Sequence, residues 1–228
     1  MELEKITKAG QGEAKRRYDD ACGTAHALEL IGERWALLVL RELMLGPRRF
    51  SELKADLPGI SANVLTQRLT ELERRRLVIR RKLPPPASVQ VYEATPWGLE
   101  AEPIVQALGR WAARSPAHDP TLPISGVSVM LSFRTMLDAK RAKGVSGRIG
   151  FVFGEDTYLG RLKKGEFRVV RGPIDGADVV LRGAPAELAA VVYGGQSLDL
   201  IQVDGDRDLA AKFVTLFPLP SKVGFAGH

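Results

Sequence analysis

The 228-residue sequence predicts a protein of the α+β class in two parts. Apolar residues recur at helical spacing from residue 24 to residue 76, and two segments rich in β-branched residues follow. Beyond residue 127, short β-rich segments lie between helical ones, as expected for helices packed on an antiparallel sheet. Segment 115–123 contains three prolines and no apolar periodicity. We therefore expect domains over 1–115 and 124–228, joined by a linker over 116–123.

Composition restricts where the protein can work. Hydrophobic residues make up 45% of the chain, but the longest apolar runs, around 36–40 and 188–193, are much shorter than the roughly 20 residues that cross a bilayer. No charged and apolar leader opens the sequence, and its single cysteine, Cys22, excludes an internal disulfide. These features predict a cytoplasmic protein that does not insert into membranes.

The first half predicts a series of helices interrupted by turns. Residues 1–18 show little periodicity and suggest an arm, whereas helical spacing begins at Thr24 and continues over 37–45. A short helix beginning near Ser51 ends at the Pro58-Gly59 turn. Ser61 is placed to cap the next helix, over 61–76, whose apolar face contains Leu65, Leu69 and Leu72.

The opposite face of the helix over 61–76 carries amide and hydroxyl side chains rather than the usual ladder of Glu and Lys. Amides and hydroxyls near a helix N-terminus can reach base edges in a DNA major groove. The candidate contacts on this helix are Ser61, Asn63, Thr66, Gln67, Arg68, Thr70 and Arg74. A solvated helix face is the alternative interpretation, but the preceding helix and turn and the hairpin that follows favour DNA binding.

Two strands, over 77–83 and 89–95, are predicted to flank the rigid loop 84–88, with Arg80, Arg81 and Lys82 near its tip. This arrangement is typical of a wing that contacts phosphates, although charges on an edge strand also prevent aggregation. Segment 48–82 contains ten Lys or Arg and four acidic residues, a difference equal to the net charge of +6 of the whole chain. Such a concentration of charge indicates a polyanionic partner.

A third feature of the first half is an apolar seam that starts after the Thr95-Pro96 helix start. Its residues, spaced alternately by four and three positions, are Trp97, Ala101, Ile104, Leu108 and Trp111. A spacing of 3.5 residues suits packing against another helix, for which a second copy of the chain is the natural partner. Core packing within one chain is the alternative, and Pro103 is expected to kink the helix.

Residues 20–115 resemble the HxlR family of bacterial winged-helix transcriptional regulators, relatives of the MarR group. The resemblance is carried by Leu30-Ile31-Gly32-Glu33-Arg34-Trp35, Arg41-Glu42-Leu43, Gly46-Pro47-Arg48-Arg49-Phe50-Ser51-Glu52-Leu53, Pro58-Gly59-Ile60-Ser61, Val64-Leu65-Thr66-Gln67-Arg68-Leu69 and Glu71-Leu72. It implies a homodimer that places two recognition helices in successive major grooves of double-stranded DNA. The sequence departs from the family at Gly23, where proline is usual, and at the acidic Glu33.

Cys22 is a candidate redox sensor, since some relatives use a cysteine at this position. Arg16 and Arg17 could stabilise its thiolate. No second cysteine exists in the chain to resolve a sulfenic acid, so a partner subunit would have to supply one. A structural residue near a helix start is the alternative.

The second half predicts a helix over 127–143, strands over 148–153, 157–162, 167–170 and 177–181, a helix over 185–193, an extended segment over 198–203 and a helix over 208–217.

The segment Ala177-Asp178-Val179-Val180-Leu181-Arg182-Gly183 and the residues around Val203-Asp204-Gly205-Asp206 resemble the sterol carrier protein 2 family. This resemblance implies an apolar or lipid-like ligand, with a candidate lining of Phe133, Leu137, Phe151, Phe153, Leu198, Leu200, Phe213 and Phe217. A plain hydrophobic core is the alternative interpretation. Fourteen cations against eleven acids make this half a poor second DNA site.

No catalytic set, phosphate loop or metal cluster is recognisable, so we expect neither an enzyme nor a cofactor. Two hypotheses remain. The favoured one is a dimeric, sequence-specific repressor whose C-terminal domain binds an apolar effector. The alternative is a lipid-handling protein whose basic half contacts anionic membranes or another macromolecule.

Overall fold

The computed structural model describes residues 18–224. The expected N-terminal arm, apart from Tyr18, lies outside the described residues, as do Arg16, Arg17 and His228. In the first half, helices and strands follow in the order α1 (Gly23–Ile31), α2 (Ala36–Glu42), α3 (Phe50–Asp56), α4 (Ala62–Arg74), β1 (Val78–Lys82), β2 (Gln90–Ala94), α5 (Pro96–Leu99) and α6 (Glu102–Ala112). This order confirms the predicted helix-turn-helix and hairpin.

Local sequence signals explain the boundaries that orient these helices. The Ser61 hydroxyl accepts a hydrogen bond of 3.2 Å from the Val64 amide and caps α4. Before it, the turn passes through Gly59 at φ +87°, a conformation that favours glycine. The Thr95 hydroxyl caps α5 in the same way, accepting from the Gly98 amide at 3.0 Å, with Pro96 at the first helical position.

The predicted helix after Thr95 is two helices rather than one. α5 ends at Leu99, and α6 begins at Glu102 after a break at Glu100 and Ala101. Pro103 has no amide hydrogen to donate into a preceding turn, and its ring excludes a continuous helix there. The expected kink is therefore confirmed, in the stronger form of an interruption.

The second half consists of α7 (Gly126–Met136), β3 (Gly147–Phe153), β4 (Asp156–Lys163), β5 (Glu166–Arg171), β6 (Val179–Arg182), α8 (Pro185–Gly194), a 3-10 turn (Leu198–Leu200), β7 (Gln202–Gly205) and α9 (Arg207–Phe213). The three largest differences from the sequence prediction lie at the ends of two helices and at the start of the extended segment. The helix predicted over 127–143 ends at Met136, and the helix predicted over 208–217 ends at Phe213. The extended segment predicted over 198–203 begins only after the 3-10 turn.

The five-stranded sheet is mixed, with the order β5-β4-β3-β6-β7, whereas an antiparallel sheet was expected. β3, β4 and β5 form an antiparallel meander, but β6 pairs in parallel with β3. Between β5 and β6 the chain crosses the face of β3, where a Cβ on Gly150 would lie 3.2 Å from Ile174. The expectation of an antiparallel sheet is wrong for β6, because the spacing of strands along the sequence does not show which strand β6 pairs with.

One continuous hydrophobic core joins the two halves. Buried residues of α2 and α4, such as Leu40 and Leu69, belong to the same cluster as Val129 and Phe133 of α7. α7 contacts both α6 and α2. The position of the helix-turn-helix relative to the sheet is therefore set by apolar packing and by the polar contacts described below.

Candidate nucleic-acid interface

The polar side of α4 is open to solvent. Ser61, Asn63, Thr66, Gln67, Thr70 and Arg74 are all exposed, while Leu65, Leu69 and Leu72 on the other side are buried. This division follows from the 3.6-residue period, which places positions four and three apart on one face. We define α4 as the recognition helix on this geometry.

Exposed groups on the recognition helix differ in how free they are to bind a new partner. The Thr66 and Thr70 hydroxyls donate to the carbonyls of Ala62 and Thr66, at 2.9 and 3.0 Å. The Gln67 amide donates to a Glu71 carboxylate oxygen at 3.3 Å, a long contact that base recognition can replace. Asn63, in the first turn, and Gln67, one turn later, therefore present exposed amide groups on the same side of α4.

Arg68 does not belong to this exposed set. It is 6% exposed, and its guanidinium lies 2.8 Å from Glu71 and 3.3 Å from Glu33. Its position in the helix places it beside Leu65 and Leu69 rather than on the polar side. The expectation that Arg68 contacts DNA is corrected to an internal ion pair, and Glu33, where the sequence departs from its relatives, is one of the partners.

The wing, defined as β1, β2 and the loop 83–89, is an antiparallel pair in which Arg80 lies opposite Tyr92 and Lys82 opposite Gln90. Lys82 and Arg80 are exposed, and Arg80 lies 3.7 Å from Glu73. Arg81 forms an ion pair with Glu93 of the neighbouring strand. Two of the three wing cations therefore already have acidic neighbours, and Lys82 has no ion pair among the residues described.

Arg48 plays a role that the sequence did not suggest. It precedes α3, its backbone bridges to Tyr92 of the wing, and its side chain is 6% exposed. The guanidinium donates to both oxygens of Asp156, at 2.7 and 3.0 Å, and to Asp56 at the end of α3. Asp156 is 108 positions away in sequence, so no local pattern could have indicated the contact. Arg48 thereby ties the helix-turn-helix and the wing to the β3–β4 hairpin.

A second arginine extends this ion-pair cluster. Arg171 lies 3.9 Å from Asp156, donates to the Tyr158 hydroxyl at 3.2 Å and sits 5.3 Å from the centre of the Tyr158 ring. Burial raises the pKa of Tyr158 to about 12, although the Arg171 charge opposes the shift. For Arg48, burial lowers the pKa, but the hydrogen bonds and charges of Asp156 and Asp56 raise it by more. We call Arg48, Asp56, Asp156 and Arg171 the hairpin cluster.

Two further polar contacts join the halves. Arg134 of α7 donates to both carboxylate oxygens of Glu102 in α6, at 2.6 and 2.8 Å. Glu42 of α2 is fully buried and accepts from the Ser125 hydroxyl at 2.9 Å and from Arg41. Burial raises the pKa of Glu42, and one of its oxygens lacks a hydrogen-bond partner in the described structure.

Most of the predicted apolar seam lies on the surface. Trp97, Ile104, Leu108 and Trp111 are exposed, and Trp111 retains 74% of its accessible area. Ala101 differs, because it is buried within the chain at the break between α5 and α6. The seam is therefore corrected to four residues, and their exposure is unusual for side chains of this size.

The aromatic residues expected to line an apolar pocket pack against one another instead. The Phe133 and Phe217 rings stack at 4.5 Å, and Phe213 lies 4.9 Å from Phe217 and 5.5 Å from Phe133. Phe151 and Phe153 are also buried, whereas Leu137 and Leu198 are half-buried and Leu200 is exposed. The phenylalanines of the expected lining are thus corrected to a filled aromatic core, because side chains at contact distance leave no room for a ligand between them.

Cys22 is exposed and precedes the first residue of α1. The pKa of its thiol is lowered by hydrogen bonds, first from the backbone of Thr24, then from the backbone of Ala25 and then from the Thr24 hydroxyl. The redox role stays a prediction. Between residues 18 and 224, no helix is long and apolar enough to span a bilayer, and no three His, Cys, Asp or Glu side chains group as metal ligands.

Comparison with known proteins agrees with this geometry. The sequence profile of the HxlR-like helix-turn-helix family matches residues 30–119. The HTH-type transcriptional regulator YodB of Bacillus subtilis is 37% identical over 86 residues, which cover 38% of this chain and 77% of YodB. The chain belongs to the HxlR-like helix-turn-helix family.

Two further similarities cover the same half. The uncharacterised HTH-type transcriptional regulator YkvN of Bacillus subtilis is 42% identical over 94 residues, which cover 40% of this chain and 77% of YkvN. The solved structure of the reduced form of YodB has 33% sequence identity and a TM-score of 0.39, covering 44% of this chain and all of that one. The family match ends at residue 119, so the sheet domain lies beyond it.

Proposed function

We propose that this protein is a cytoplasmic, sequence-specific transcriptional regulator that binds duplex DNA as a homodimer. The observation that carries the proposal is the recognition helix, which presents Asn63 and Gln67 on an exposed polar face directly after a helix and a tight turn. Amide side chains donate and accept at once and can bond to adenine in the major groove. Arg74, further along the helix, and Lys82, on the wing, would contact phosphates.

The proposed dimer uses the exposed seam on α5 and α6. Trp97, Ile104, Leu108 and Trp111 together form an apolar surface that a soluble monomer would leave in contact with water. A second copy of the chain is the occupant that best fits, because a two-fold dimer presents two recognition helices to two half-sites. We further propose repression, since a dimer on its operator needs no additional surface to block transcription.

The domain organisation supports a fixed rather than a hinged arrangement. We propose a DNA-binding domain over 1–115, a linker over 116–123 and a domain over 124–228 that resembles sterol carrier protein 2 in its helix-and-sheet layout. The hairpin cluster and the Arg134–Glu102 pair connect the two domains. The lipid-handling alternative is not favoured, because the family match falls on the helix-turn-helix and the expected lining is a packed core.

Binding to the duplex upstream of the protein's own gene tests the proposal, beside a scrambled duplex of equal length at two salt concentrations. A preference for the native duplex that persists as salt rises would support sequence recognition. Equal binding to both duplexes that falls steeply with salt would refute it. Transcription from the bound promoter in cells with and without the protein then decides repression.

A further inference from the structure

Three arginines lie side by side on the outer face of the sheet. The strand register places Arg148 of β3 directly opposite Arg161 of β4, and Arg161 directly opposite Arg168 of β5. All three side chains are exposed. Neighbouring strands are about 4.8 Å apart, so the row spans roughly 10 Å. Like charges directly opposite one another destabilise a sheet, so this row costs stability unless an anion neutralises it.

The chain's own acids neutralise only part of this charge. Arg148 lies 3.7 Å from Asp178, and Arg168 lies 3.2 Å from Glu166 on its own strand. Arg161, the central member of the row, has no ion pair in the described part of the chain, and neither has Lys163, two residues further along the same face of β4. The unpaired charge is therefore concentrated at the middle of the row.

A cleft opens at the same place. Its volume is about 410 Å³, and it is lined by Ser146, Gly147, Arg148, Arg161, Leu162 and Lys163. We call it the basic cleft. Cavities of this size hold small molecules, and hydroxyl, guanidinium and ammonium groups are donors suited to phosphate or carboxylate oxygens.

We propose that the basic cleft binds a small anion that carries two phosphate or carboxylate groups. Arg161 contacts the anion centrally, with Arg148 and Lys163 on either side. A nucleic acid fits this site less well. The cleft lies five residues along β4 from Asp156, about 17 Å from the contact with the helix-turn-helix, and Glu166 and Asp178 beside the row would repel a polyanionic backbone.

Thermal unfolding of the full chain in a low-salt buffer tests the site, with pyrophosphate and succinate as the phosphate and carboxylate probes. The wild type should show saturable stabilisation by at least one probe, and the probe that binds more tightly identifies the chemical class. Arg161→Gln should weaken that binding about tenfold or more, because a charge-assisted contact is lost. Lys163→Gln should weaken it to a lesser degree. The control Lys212→Gln makes the same charge change on α9 and should bind as the wild type does.

Stability without an added anion distinguishes binding from a structural role. Because Arg161→Gln removes repulsion from Arg148 and Arg168, the variant should melt at or above the wild-type temperature in anion-free buffer. The proposal is overturned if neither probe stabilises the wild type, or if Arg161→Gln and Lys212→Gln respond alike. Tighter Arg161-dependent binding of a random DNA duplex than of either probe would overturn the small anion in favour of a nucleic-acid contact.

Discussion

Replacing Arg48 with alanine removes the cation that joins the helix-turn-helix to the sheet domain. The guanidinium holds both oxygens of Asp156 and one oxygen of Asp56, and Glu52 lies 3.7 Å away. Arg48→Ala leaves Asp56 and Asp156 facing each other, with Arg171, 3.9 Å from Asp156, as the remaining cation of the hairpin cluster. The neighbouring Arg49→Ala is a matched control, since its side chain is 52% exposed and, among residues 18–224, its ion-pair partner is Glu52, at 3.8 Å.

The expected magnitude follows from burial. Removing one partner of a buried ion pair costs about 3–5 kcal/mol, because the remaining charge is left uncompensated. Asp56 and Asp156 retain 21% and 28% of their side-chain exposure, so water reaches both and the lower end applies. We expect Arg48→Ala to lose about 3 kcal/mol of unfolding free energy, or roughly 6–12 °C in melting temperature. Arg49→Ala should lose no more than about 0.5 kcal/mol.

Urea unfolding followed by two signals measures the effect. Trp35, Trp97 and Trp111 all lie in the first half, so tryptophan fluorescence reports that half, whereas circular dichroism reports both. In Arg48→Ala the fluorescence transition should move to lower urea and separate from the dichroism transition, as the coupling between halves weakens. If Arg48→Ala and Arg49→Ala unfold at the same urea concentration, the hairpin cluster does not hold the halves together.

Glu42, Lys82 and Trp111 lie outside the hairpin cluster, and each leads to a further prediction. Burial raises the pKa of Glu42, so the contribution of this group to stability is full below about pH 4.5 and is lost as pH rises through the folded pKa. Relative to Glu42→Gln, the wild type should therefore lose unfolding free energy above pH 4.5. A difference between the two proteins that is constant with pH would contradict this. Lys82→Ala should weaken specific and scrambled duplexes alike and reduce the salt slope of binding by about one unit; an unchanged slope would remove Lys82 from the interface. Trp111→Glu should convert dimer to monomer in sedimentation, whereas Val170→Glu, also at an exposed apolar residue, should not; a dimeric Trp111→Glu would exclude the seam.

Features with local causes could be predicted from the sequence. The helix-turn-helix follows from apolar spacing, the Pro58-Gly59 turn and the Ser61 cap, all within about 30 residues. The wing follows from two β-branched segments that flank a proline loop. The exposed amides of the recognition helix also followed from the period alone, because each lies opposite a leucine face that must be buried.

Features that depend on distant partners could not be predicted. From its sequence context Arg68 is expected to be a surface cation, but Glu33, from the turn between α1 and α2, lies beside it. Arg48 looked like part of the basic segment, but Asp156 neutralises it from the other half of the chain. The parallel β3–β6 pair and the mutual packing of the phenylalanines are likewise long-range outcomes. A cation count in sequence therefore overstates the charge that remains available to DNA.

Gln67→Ala tests directly whether α4 reads bases, with Gln196→Ala, at an exposed glutamine outside the helix-turn-helix half, as the matched control. The measurement is the ratio of affinities for the native upstream duplex and its scrambled form, at two salt concentrations. We expect Gln67→Ala to lose about 1–3 kcal/mol of discrimination, while its affinity for the scrambled duplex and its salt dependence stay near wild type. Gln196→Ala should keep the wild-type ratio. An unchanged ratio in Gln67→Ala, or equal loss on both duplexes, would contradict base recognition by this helix position.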